Sequence, residues 1–441
     1  MGIIVKDGDK TLTLGTDYVF GTVAGKTGNE ASQVGDEYTV QIVGQGDYAG
    51  TKTASFKIKN PGGAWGDLTW SLASGTLTIS GDGTMNTATT YNGYGFPWVN
   101  YRSQINSVVI GEGVTSIADK AFGETHNQEK YENVTAITLP STLTSIGANA
   151  FNGCTNSSLN ITIPTRVTSV GEGAFNTQAK VTATLSESID NTSLLAALKG
   201  VTTDLTFKRT FDANTGGEGK ASTVCLPFDL DKPDASVGKF YTFGGVSSEF
   251  VVTMDEVSGD KLSAGTPYLF KPAGGAEVAF QNVAYTVPTG GIQAATHTTV
   301  GDWTFAGTYT KKTWTSGQTL LYGFTAADYK ESGQTIDATQ VGSFKRYDSG
   351  YCDAFRCYLW ASSSLPTTAR SVNGSSNVLP DTLKVVLVSA SGETTGIGTL
   401  DAKTGEVTFG DEWFSLDGQK LDGKPTKKGI YINNGRKVVV Q

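Results

Sequence analysis

The feature that most constrains this chain is a phrase that recurs three times between Val108 and Phe175. It reads VVIGEGVTSIADKAF, then AITLPSTLTSIGANAF, then NITIPTRVTSVGEGAF. The closing phenylalanines, Phe122, Phe151 and Phe175, stand 29 and then 24 residues apart, the first interval being lengthened by the polar insert GETHNQEKYENV. Self-similarity with a period in this range specifies a solenoid, in which each repeat is one supersecondary unit stacked on its neighbours. Such an array favours an extended binding surface over a catalytic pocket.

Within each repeat the apolar positions alternate. Val108/Ile110, Ile137/Leu139 and Ile161/Ile163 fall on one face of a first short strand, and Val109, Thr138 and Thr162 on the other. A second apolar pair follows, Val114/Ile117, Leu143/Ile146 and Val167/Val170, with Thr-Ser between its members each time. The Ala-Phe that ends each copy is expected to plug the interior at a corner. Burying four large side chains contributes roughly 6–12 kcal/mol per repeat. Ordering two dozen residues costs more, at about 1–2 kcal/mol each for the backbone alone. One repeat should therefore not fold alone.

These residues resemble the BspA-like leucine-rich repeat family of bacterial surface proteins, whose unit reads approximately I-x-I-P-x-x-V-x-x-I-G-x-x-A-F. Residues 134–175 match it closely, with Pro140, Pro164, Gly147 and Gly171 in place; the first copy carries Gly111 and Ala118 instead. The preceding WGDLTWSLASGTLTISGDGTM and PWVNYRSQINSVVI are similar to the family's usual N-terminal cap. The resemblance implies a leucine-rich fold and, because relatives include adhesins, recognition at an outer cell surface. It does not name a ligand.

The expected fold class is mainly β: a short leucine-rich-repeat solenoid flanked by an Ig-like β-module and C-terminal all-β domains. Residues 1–59 resemble the later part of a bacterial Ig-like module, through LTLGTDYVF and DEYTVQIVGQGDYAGTKTASFKI; the missing opening strand suggests truncation of a longer chain. Residues 62–205 form the capped solenoid, and LLAALK at 194–199 is the clearest helical segment. Residues 206–390 hold short alternating strands that read as a β-sandwich, resembling an uncharacterised domain of Bacteroidetes surface proteins. From 391 the chain resembles C-terminal sorting or anchoring modules of exported Bacteroidetes proteins, with an Asn434-Gly435 hairpin signal.

Composition narrows the partners. A net charge of −8 and the lack of a basic stripe argue against nucleic acid. No apolar run is long enough to cross a bilayer. No signal peptide opens the sequence, and the start Met-Gly-Ile-Ile reads as lying inside a longer gene product, so an extracellular or outer-surface location rests on the resemblance. The four cysteines, Cys154, Cys225, Cys352 and Cys357, are expected to be free, mostly buried thiols; Cys352 and Cys357 would lie about 16 Å apart on a continuous strand, so a bridge there would require a turn at Asp353-Ala354.

Chemistry is sparse. His126 and His297 neighbour no nucleophile motif, and each reads as a surface histidine. Asp229, Asp231 and Asp234 offer alternate oxygens, but they lack the glycine turn and closing glutamate of a calcium loop and read as a solvated acidic turn. No catalytic residue, metal ligand or cofactor is assigned, and the chain is read as noncatalytic. Candidate ligand contacts are the loop aromatics Tyr91, Tyr94, Trp98 and Tyr101 and the outward column Val109, Thr138 and Thr162. The aromatics either stack on a ligand or seal the open end of the repeat core. The expected partner is a host or matrix protein, or a polysaccharide. The alternatives are a structural spacer of the cell envelope and, further off, a polysaccharide-acting enzyme with paired carboxylates in 206–390.

Overall fold

The computed structural model describes residues 4–24, 37–85, 96–124, 129–213, 217, 219–248, 250–315, 321–326, 342–346, 349–362, 379–390, 399–401, 406–408, 413–415, 420–421, 425–433 and 436–440. Its described residues are mostly strand, as expected; the helical pieces among them are a two-turn 3-10 helix at Val99–Gln104 and a short α-helix at Thr192–Ala197.

The repeats build two parallel ladders. The first strands, Ser107–Ile110, Ala136–Thr138 and Asn160–Thr162, pair in register with one another, and Thr76–Gly81 precedes them. Lys180–Leu185 and Thr202–Thr210 extend the parallel run. The second strands, Val114–Ile117, Ser145–Ile146 and Ser169–Val170, stack behind Gly83–Thr84 as a four-stranded parallel sheet. Val108, Ile137 and Ile161 face the space between the ladders, as alternation predicts, with Val114, Leu143 and Val167 opposite them.

Three devices set the register between repeats. Phe122, Phe151 and Phe175 stack in a near-parallel column, with centroids 5.6 and 6.4 Å apart. Asn133, Asn156 and Asn176 each donate a side-chain amide hydrogen bond to a carbonyl of the preceding turn, on Ser103, Glu132 and Asn152. Gly147 and Gly171 allow one turn to lie against the last: a Cβ on them would meet the Asp119 and Ala148 backbone nitrogens at 2.4 and 2.3 Å. That is the physical content of the glycine in the repeat phrase.

Both ends are closed. At the start, Gly62–Trp65 and Leu68–Ala73 run antiparallel onto Thr76–Gly81. At the other end, the Thr192–Ala197 helix covers the smaller sheet, where the Val170 amide donates to Ser193 Oγ at 3.0 Å. The larger sheet is instead carried on, because Thr202–Thr210 pairs antiparallel with Glu277–Thr286. The strand Thr202–Thr210 thus spans the junction expected at residue 205, and part of the solenoid's closure comes from far along the chain.

Beyond it, ten strands form one curled sheet, in the order Ser222–Val224, Tyr268–Pro272, Gly238–Val246, Val251–Glu256, Thr382–Val388, Phe344–Arg346, Leu321–Phe324, Arg356–Ala361, Trp303–Thr308 and His297–Val300. It folds over a core of its own that includes Phe243, Phe305, Tyr322, Phe344 and Leu359. The solenoid core does not stop where this body begins. One cluster of buried residues runs from Trp65 through Phe175 to Phe207, Phe240, Phe270, Phe280 and Phe355. The joint is also ionic. Arg356 grips Glu187 with two 3.0 Å hydrogen bonds, and buried Arg209 lies 3.6 Å from the same carboxylate.

Near the N-terminus, Tyr18–Ala24, Glu37–Gly44 and Thr51–Lys57 form a three-stranded antiparallel sheet with Tyr18 and Val40 buried. At the C-terminus, Gly429–Asn433 and Arg436–Val440 pair with Asn433 opposite Arg436, which leaves a two-residue connection at the Asn434-Gly435 signal; the turn residues themselves lie outside the described residues.

Candidate functional site

The aromatic candidates divide. Tyr91 and Tyr94 lie outside the described residues. Trp98 is fully buried, which corrects its assignment as a ligand contact. Its ring stacks between Phe96 and Phe122, and its indole N–H donates to the Ala121 carbonyl at 3.1 Å. Trp65 and Trp70 pack edge-on against it. Tyr101 is half-buried with its ring 5.8 Å from that of Trp70. A solenoid's first repeat has no neighbour on one side, and its apolar edge must be sealed. These aromatics seal it.

The outward column has a different character. Val109 is half-buried, and Thr138 and Thr162 are exposed. Strand pairing sets Thr78, Val109, Thr138, Thr162, Thr182 and Asp204 in a row across six parallel strands. The next row runs Thr76, Ser107, Ala136, Asn160, Lys180 and Thr202, one step along the same face. Neighbouring strands lie about 4.8 Å apart, so the face presents small hydroxyls on a regular grid. Several are held in place: Ser107 donates to Thr76 at 2.9 Å, Thr182 donates to Asn160 at 3.0 Å, and Lys180 pairs with Asp204 at 2.6 Å. The Asp204 carboxyl, although burial would raise it, is held below its ordinary range by hydrogen bonds from Lys180 and the Ala284 amide. The smaller sheet offers a second column, Ser116, Ser145 and Ser169, of which Ser169 is exposed.

Reactive chemistry is muted among the described residues. All four thiols are free and buried; burial pushes Cys154 and Cys352 up to about 12 and raises Cys225 and Cys357 as well. Such thiols stay protonated and poorly nucleophilic at neutral pH. His297 is exposed on the edge strand His297–Val300, and His126 lies outside the described residues. Asp229 accepts from the Ala264 amide, Asp234 from the Ser236 amide, and Asp231 faces Lys261 at 3.9 Å, each exposed and locally engaged. Among the described residues no group of three or more His, Cys, Asp or Glu could hold a metal ion. No helix there is long and apolar enough to cross a membrane.

One surface escaped the sequence reading. In FRCYLW, Cys357 and Leu359 turn inward while Tyr358 and Trp360 turn outward, and Trp360 is 40% exposed. Period-two alternation in that phrase carried the signal, but it was obscured because both faces of the strand are apolar.

Comparison with known proteins agrees on the repeats. A family model described as "BspA type Leucine rich repeat region (6 copies)" matches residues 128–196. Over that stretch the repeats are of the BspA leucine-rich type. A solved structure titled as a leucine-rich repeat protein from Eubacterium ventriosum ATCC 27560 is 23% identical to this chain, covering 35% of it and 45% of that protein, with a TM-score of 0.24. The chain thus spans under half the length of that protein, and at this score the likeness carries no argument about shape. No curated protein matches the chain.

Proposed function

We propose that this is a noncatalytic binding protein of the cell surface or extracellular space, whose leucine-rich repeats recognise a host or matrix protein or a glycan. The single observation that carries the reading is the outward grid of Thr78, Val109, Thr138, Thr162 and Thr182 on a rigid parallel sheet. A flat face with preset hydroxyls offers many shallow contacts and no deep cleft, which suits a macromolecule better than a small metabolite. The family matched by residues 128–196 supports the same reading. In this account the N-terminal three-stranded sheet is an Ig-like spacer and the C-terminal hairpin module serves sorting or anchoring. The partner is taken to be neither a nucleic acid nor a cofactor.

The solenoid cannot be cut out to test this, because its core is continuous with that of the following body. The test is binding of the intact chain to an array of matrix proteins and glycans, with Thr138→Arg and Thr162→Arg combined in a second sample. Long charged side chains would break the flat face without touching the core. Binding by the native chain that falls at least about tenfold in the folded variant supports the proposal; binding that survives unchanged, or none at all, refutes it.

A further inference from the structure

The ten-stranded sheet curls back on itself, and the seam where it does so carries two thiols. Its first strand, Ser222–Val224, meets Arg356–Ala361, the eighth in the order. The link runs through a side chain: the Thr223 hydroxyl accepts from the Cys357 N–H at 3.0 Å and donates to the Cys357 carbonyl at 3.3 Å. One turn further on, the Cys225 N–H donates to the Phe355 carbonyl at 2.9 Å. Cys225 and Cys357 thus flank the seam, both buried in the core of this sheet. The Cys357 thiol faces the Val224 carbonyl, 3.4 Å from its sulfur and one residue before Cys225. Gly307 closes the triangle. It pairs with Cys357 across the strands, where Cβ positions stand about 4.5–5.5 Å apart, and a Cβ on it would lie 2.9 Å from that of Cys225. The missing side chain at Gly307 gives the Cys225 sulfur its room beside Cys357.

We infer that Cys225 and Cys357 are an oxidation site, which forms an intrachain disulfide across the seam. The reaction is thiol–disulfide exchange with a low-molecular-weight disulfide, a reagent that the proposed location outside the cell would supply. One cysteine thiolate attacks the reagent and expels a first reagent thiolate. The other cysteine thiolate then attacks the protein sulfur of the mixed disulfide and expels the second. Two protein S–H bonds and one reagent S–S bond become one protein S–S bond and two reagent S–H bonds; the cysteines lose the two electrons that the reagent gains. The exchange belongs to the folding chain, because burial raises both thiols once the sheet has closed. Cys352 is the competing partner, since it lines the same small cavity as Cys357. Two observations set it aside. The Cys357 thiol faces the carbonyls of Val224 and Tyr268, a strand pair of the seam, and not back across the turn to Cys352. Closing that short loop would also constrain the unfolded chain far less than closing the loop from Cys225 to Cys357, which holds most strands of the sheet.

The experiment refolds the intact chain from denaturant in a buffer of reduced and oxidised glutathione, and in parallel under excess reductant. Each sample is denatured, its thiols are blocked with N-ethylmaleimide, and unreduced peptides are mapped by mass spectrometry. The chain kept under reductant is the four-thiol form described above and should be blocked at all four cysteines. The glutathione-treated chain should be blocked at Cys154 and Cys352 and should yield a linked Cys225–Cys357 peptide. It should also melt about 3–8 °C above the four-thiol form. Cys352→Ser should keep the linked peptide and the shift, and Cys225→Ser should lose both. Three results would overturn the assignment: four blocked cysteines in the glutathione-treated chain, a linked Cys352–Cys357 peptide in place of the expected one, or a linked chain that melts no higher. Mapping on the native sequence decides the pairing even where Cys225→Ser does not fold. No ligand enters either readout, so the outcome is independent of recognition by the repeats.

Discussion

The ring of Trp98 stacks on that of Phe122 at 5.7 Å with an interplanar angle of 20°. It thereby takes the place that the phenylalanine of an earlier repeat would hold in the column Phe122, Phe151, Phe175. The N-terminal cap imitates the repeat it covers.

Trp98→Ala should remove the head of that column and leave a cavity against Phe96, Trp65 and Phe122. Large aromatic-to-alanine changes in cores cost about 3–5 kcal/mol. Trp98→Phe should recover most of the loss, since a phenyl ring restores the stack while forfeiting the hydrogen bond to Ala121. Denaturant melts of the two variants check both statements.

Gly147→Ala adds a Cβ 2.4 Å from the Asp119 amide nitrogen, where only a backbone shift could make room. The expected loss is about 1–3 kcal/mol. Ala118→Gly, at the matching position of the first repeat, relieves no such approach and should lower stability by no more than the ordinary backbone-entropy cost, about 0.5–1 kcal/mol. Equal losses at the two sites would contradict the stacking argument.

Glu187 joins the solenoid's last turn to the second body through Arg356 and Arg209. Removing the carboxylate leaves two guanidinium groups little exposed and without their counter-charge. Glu187 and Arg356 are only partly buried, so Glu187→Ala should cost about 1–3 kcal/mol, the range for leaving a charged group without its hydrogen-bond partner. Because the core is continuous across the joint, the loss should appear in one shared unfolding transition. Two separated transitions in the native chain would contradict that continuity.

The buried thiols give the protein an alkaline limit. Their folded pKa values lie above the unfolded value, so their contribution to stability is complete below about pH 8.5 and declines as the unfolded chain ionises above it. For Cys154 and Cys352 the decline continues to about pH 12, where the folded thiols titrate. Each such thiol contributes a slope of about 1.4 kcal/mol per pH unit in that window. Melting temperature should accordingly fall on going from pH 8 to pH 10. A thiol reagent at pH 8 should label none of the four cysteines in the native chain and all four after denaturation.

Much of the solenoid was legible in the sequence because its constraints are local. Alternation around Ile137 and Ile161 set the inward faces, and the repeated Ala-Phe marked an interior plug at each corner; the phenylalanine column and the close turns at Gly147 and Gly171 emerge only from the structure. The LLAALK segment likewise identified the closing helix. What was not legible arises from contacts far apart in the chain. Nothing near Thr202–Thr210 announces that its partner is Glu277–Thr286, or that Arg356 will reach back to Glu187. Trp98 shows the same limit on the scale of one residue. A glycine- and proline-rich loop crowded with aromatics reads first as a plug, with Trp98 its foremost core residue, yet the ligand-contact alternative stays open until Trp65, Trp70 and Phe122 are seen around the ring.

The central claim is that recognition runs along the outward row of the parallel sheet. Its most direct test is a lysine scan of Thr78, Val109, Thr138, Thr162 and Thr182 in the intact chain, measuring affinity for the ligand that the array identifies. The account predicts folded variants whose losses peak at the central strands, about tenfold or more at Thr138 and Thr162, and fade toward Thr78 and Thr182. A flat profile, with every variant binding as the native chain does, would contradict it.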